Sequence, residues 1–78
     1  MSTERTAAEE RAANVALLRR RADIADATAA KYEDTAAALG AYGHEREAAN
    51  ERGKANTYTY VALALRAAAT HIEVGEVW

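Results

Sequence analysis

Apolar residues recur along most of this chain with the spacing of helices that share a seam. In the first half, Val15, Leu18, Ala22, Ala25, Ala29, Tyr32, Ala36 and Leu39 follow one another at alternating steps of three and four. That is a heptad pattern, and it persists for almost four repeats. In the second half, Ala48, Ala55, Ala62 and Ala69 stand seven apart, with Tyr58, Leu65 and Ile72 at the intermediate sites. Glu51 is the misfit in that series. It is read as a break of register beside Gly53, the other reading being a polar residue that sets alignment or oligomer number.

Helix-breaking residues divide the pattern in two. Proline is absent and no glycine occurs between Thr6 and Leu39, so nothing interrupts a helix there. Thr6-Ala7-Ala8-Glu9 has the spacing of a capping box, with Ser2 or Thr3 as earlier caps, and the first helix is expected over about 4–39. Gly40-Ala41-Tyr42-Gly43 is the expected turn, with Gly40 in the left-handed conformation that ends a helix. The second helix is expected from about His44 to Glu73, continuous or kinked at Gly53, followed by a tail over 74–78. Thr57-Tyr58-Thr59-Tyr60-Val61 alternates like a strand, but it runs directly into the helical Ala62–Ala69 and would have no strand partner.

Folding the chain back at 40–43 brings Ala36 toward Ala48, Ala29 toward Ala55, Ala22 toward Ala62 and Val15 toward Ala69. Tyr58 is expected near Ala25 and Tyr32 near Ala55, so that large side chains meet small ones. The expected fold is all-α, a single-domain antiparallel Ala-rich helical hairpin over 1–78. The hairpin leaves Leu17, Ile24, Tyr60 and Leu63 outside the seam, and two helices make only one interface. Assembly into a four-helix bundle or a higher homo-oligomer through these residues is therefore expected.

Composition narrows the possibilities. Half of the 78 residues count as hydrophobic, but most of that fraction is alanine and there is no phenylalanine, so helix propensity is high and core volume low. The chain has no cysteine, which removes disulfides and thiolate metal sites. Acidic and basic residues are mixed, with a formal net charge of -2, and nucleic acid is not an expected partner. No apolar run reaches the roughly 18 residues of a membrane span, and Met1–Arg5 does not begin a signal peptide, so a cytoplasmic protein is expected. Plentiful alanine and arginine with little lysine suggest a high-GC genome, such as that of an actinobacterium or its phage.

Few residues offer chemistry. Arg19-Arg20-Arg21 is the one concentrated charge feature and, with Tyr60, a candidate site for a phosphate-bearing ligand such as a nucleotide. Its structural explanation is stronger: Arg19 and Asp23 are four apart, the spacing of a solvated ion pair. Tyr32 and Tyr58 belong to the seam. His44 and His71 sit at opposite ends of the second helix and cannot share a metal, and no Glu-x-x-His unit or phosphate loop occurs. Serine occurs once, at Ser2, which with no cysteine leaves no nucleophile-histidine pair. No catalytic residue, cofactor or metal is expected. Val77 and Trp78 end the chain as an apolar tip, a candidate for docking another protein. The turn sequence Ala41-Tyr42-Gly43 lacks the tryptophan of the small secreted helical hairpins with Trp-x-Gly at the reversal, so that family is not matched. The expected function is a non-catalytic interaction or adaptor protein that self-associates.

Overall fold

The computed structural model describes residues 6–75. Two helices account for nearly all of them, α1 (Ala7–Ala41) and α2 (Glu45–Glu73), packed against each other as an antiparallel hairpin.

Local chemistry explains each helix end. Thr6 is the N-cap of α1: it is extended, and its Oγ1 accepts a hydrogen bond from the Glu9 backbone N–H at 3.1 Å. The same hydroxyl donates to the Glu9 carboxylate at 3.0 Å. Glu9 and Glu10 also place negative charge at the positive end of the helix. At the other end the His44 N–H bonds to the Leu39 carbonyl at 2.9 Å and the Gly43 N–H to the Gly40 carbonyl at 3.0 Å. This pair of bonds is a Schellman motif, which requires the residue after the C-cap to be left-handed; Gly43 is, with φ +82°.

The expectation for Gly40 is thereby corrected. Gly40 lies inside α1, which runs two residues past the expected end, and it is Gly43 that takes the positive φ. One glycine satisfies the turn, and the helix gains by adding intrahelical bonds before it stops.

Gly53 is spanned by α2 without interruption. The strand-like segment 57–61 that follows is helical too, and its threonine hydroxyls are satisfied one turn back: Thr57 donates to the Gly53 carbonyl at 3.1 Å and Thr59 to the Ala55 carbonyl at 3.0 Å. Gly75, with φ +75°, repeats the left-handed stop after α2.

The seam is built from small residues. The buried positions are Val15, Ala22, Ala25, Ala29 and Ala36 of α1 and Ala48, Ala55, Ala62 and Ala69 of α2. Ala22, Ala25 and Ala62 pack together, with Leu65 against them. Alanine at these positions lets two backbones approach closely, so that dispersion contacts replace the volume that leucine would supply. Glu51 is a genuine seam residue and not an error of register: it is half-buried, and its carboxylate accepts from the Lys54 ammonium at 3.1 Å.

The hairpin is one helix thick. Its Cα extents are 59 × 31 × 11 Å and its radius of gyration is 17.7 Å, against roughly 11–12 Å for a compact domain of this length. Domains usually bury large side chains between two layers. Here no large side chain among the described residues is fully buried.

Candidate interaction surface

Ion pairs and ring contacts divide the hairpin into two unlike faces. On the first, Arg19 of α1 meets Glu73 of α2 in a two-pronged contact, Nη1 to Oε2 at 3.0 Å and Nη2 to Oε1 at 2.9 Å. Further along, the Arg66 guanidinium reaches Asp23 at 2.9 Å and Asp26 at 2.6 Å. Near the turn, Arg52 lies beside Gly40. Arg19, Asp26 and Gly40 each stand four residues after a seam residue of α1 (Val15, Ala22, Ala36). Arg52, Arg66 and Glu73 likewise stand four after Ala48, Ala62 and Ala69 of α2. Helical periodicity puts all six on one flank.

Hydrogen bonding and charge keep these groups ionised. The hydrogen bond from Arg19, and then its charge, hold the Glu73 carboxyl below the usual carboxylate range, while Glu73 raises the Arg19 pKa in turn. Hydrogen bonds that Arg66 donates to Asp26 and Asp23 raise its own pKa. The expected Arg19–Asp23 pair is corrected accordingly. The planar guanidinium meets the Glu73 carboxylate on the facing helix with both nitrogens, and Asp23 is held by Arg66 instead.

The second face carries the tyrosines. Tyr32 and Tyr58 stack across the helices with ring centroids 5.7 Å apart and planes 15° from parallel. The Lys54 ammonium sits 5.5 Å from the Tyr32 ring centre while bonded to Glu51; that bond raises the Lys54 pKa. Both tyrosines stand three residues after a seam alanine (Ala29, Ala55), a position that leans toward the flank opposite the ion pairs. Leu18, Leu39, Leu65 and Ile72 share a three-after position and, like Tyr32, are half-buried, whereas Tyr58 is exposed.

The expected self-association residues fall on both faces. Ile24 and Leu17, at 66% and 37% exposure, stand two after Ala22 and Val15 and lie on the tyrosine side, near Val61 at 42%. Leu63, at 63%, stands three before Arg66 and lies on the ion-paired side, with Tyr60 one turn earlier toward the outer edge. They form two patches rather than one stripe.

The candidate anion site is not assembled within one chain. Arg19 is held by Glu73, whereas Arg20 and Arg21 are exposed, point in other directions and make no ion pair among the described residues. Tyr60 is 13 residues from Glu73 on α2, roughly 20 Å along the helix. At the open end a shallow groove of about 450 Å³ is lined by Ala8, Ala12, Val15 and Ala16, with Arg11, Arg19 and Glu73 at its rim. His44 lies 3.6 Å from Glu47 at the start of α2, far from His71 near its end. Among the described residues no group of three potential ligands is placed to hold a metal, and no helix is long and apolar enough to cross a membrane. Val77 and Trp78 lie outside the described residues.

No family model, curated protein or solved structure matches the chain.

Proposed function

We propose that this chain is a non-catalytic interaction module that works as a homo-oligomer of hairpins. The observation that supports this reading most directly is the composition of the core. Among the described residues the buried ones are eight alanines and one valine, while Leu17, Ile24, Tyr58, Tyr60, Val61 and Leu63 are exposed. A single layer of two helices has nowhere to put large side chains, and a second hairpin supplies the missing layer.

Exposed area supports the same reading. The chain exposes 5892 Å², whereas a compact monomer of its mass exposes roughly 4,600 Å². Because association stabilises the folded state by mass action, the thermal midpoint followed by circular dichroism rises with protein concentration. A midpoint independent of concentration over the range accessible to the instrument contradicts the proposal.

A further inference from the structure

We infer that the partner on the tyrosine face is a second copy of this chain, seated over Leu17, Ile24, Tyr58 and Val61, and that the ion-paired face stays outward in the assembly. The inference rests on the self-association reading above and assigns it to one surface.

The two faces differ in what covering them requires. Covering the first strips water from Arg19, Glu73, Arg66, Asp23 and Asp26, all of which are largely solvated and already satisfied across the hairpin. Desolvating such pairs returns little when their partners are already in place. Covering the second removes water from half-buried leucine, isoleucine and tyrosine surface, the area that association rewards. Of the two lysines on this face, Lys54 is already matched by Glu51, whose side chain is only 19% exposed, and rests over the Tyr32 ring, while Lys31, two after Ala29, is exposed toward the outer edge. Arg21, one position before Ala22, lies toward the rim, where a long side chain can lie along apolar surface and keep its head in water.

Area, taken over the whole chain, favours a whole hairpin over a short peptide as the occupant. The excess of exposed surface over a compact chain of this mass is on the order of 1,000 Å², and a standard interface covers roughly 800 Å² per partner. A flat, long face with the same ladder of half-buried residues on each copy is self-complementary about a two-fold axis, as an isologous dimer requires.

Ile24 and Leu63 make a matched test, since they are exposed to 66% and 63% and lie on opposite faces. Ile24→Glu weakens self-association measured by sedimentation equilibrium at least tenfold with helicity retained, while Leu63→Glu changes it less than threefold. If Leu63→Glu weakens association as much as Ile24→Glu, or more, the face assignment fails and self-association stands. If the unaltered chain is monomeric at every concentration, both fail.

A second measurement does not depend on how the charged variants fold. The chain contains no cysteine, so the Ile24→Cys and Leu63→Cys variants each carry one reporter thiol. Alkylation of the thiol at 24 slows as protein concentration rises and alkylation at 63 does not. Equal rates at both positions across the association range overturn the assignment.

Discussion

Tyr32 and Tyr58 stack across the two helices, rings 5.7 Å apart and nearly parallel, in a seam whose buried positions are mostly alanine. Each ring is expected from the sequence against an alanine of the other helix, Tyr58 near Ala25 and Tyr32 near Ala55; instead the two rings meet each other, on the flank away from the ion pairs. They are the largest side chains joining the helices, and Lys54 extends the contact from α2 onto the Tyr32 ring.

The stack has a measurable energy. A double-mutant cycle with Tyr32→Leu and Tyr58→Leu, followed by urea unfolding at constant protein concentration, gives a coupling of about 0.5–1.5 kcal/mol in favour of the pair. Additive losses mean that the rings contribute area but no mutual contact.

Closeness of the backbones makes the alanines intolerant of bulk. Ala22 and Ala62 are essentially inaccessible and touch within the same cluster. Ala22→Leu or Ala62→Leu forces the helices apart and costs about 1–3 kcal/mol. Ala30→Leu, on the exposed surface of α1, changes stability by less than about 0.5 kcal/mol. Chemical denaturation of the three variants gives the comparison.

Three glycines of one chain respond differently to alanine. Gly53 is helical with open space around a new Cβ, so Gly53→Ala stabilises by about 1 kcal/mol. Gly40→Ala is also accepted, since its Cβ would lie 3.7 Å from the movable end of Arg52. Gly43→Ala also meets open space but must hold φ +82°, and it destabilises by about 1 kcal/mol. Thermal melts order the three variants, and a stabilising Gly43→Ala contradicts the Schellman turn.

Acid weakens the ion-paired face in a defined direction. Glu73 titrates lower in the folded chain than unfolded, because Arg19 bonds its carboxylate. Its contribution is complete above the unfolded value of about 4.3 and is lost as pH falls through the folded one. In Arg19→Leu the Glu73 midpoint, read from its side-chain carboxyl carbon by NMR, moves up toward the ordinary value. An unchanged midpoint rules out the pair in solution.

Much of the hairpin was legible in the sequence because small and large residues repeat with the period of a shared seam. Seven-residue spacing alone marks Ala48, Ala55, Ala62 and Ala69, and all four are buried. The details that escaped depend partly on the facing helix and partly on local bonds. Arg19 and Asp23 have the spacing of a pair, yet each finds a better-oriented partner across the seam. Glu51 looks like an error until Lys54, one turn later, is seen to satisfy it. Gly40 and Gly43 both fit a helix stop, and only the backbone bonds show which one makes it. The division of Ile24 from Leu63 was implicit in their heptad positions, two and one residues after a seam alanine, but becomes clear only once the ion pairs mark one flank.

A hairpin whose buried described residues are all alanine or valine is proposed to find cover for its large side chains in a second copy of itself. Sedimentation equilibrium of the unaltered chain at neutral pH tests it most directly. The prediction is a mass of at least twice the 8.4 kDa of one chain, falling toward one chain on dilution. A fully helical species of single-chain mass at every concentration would contradict it.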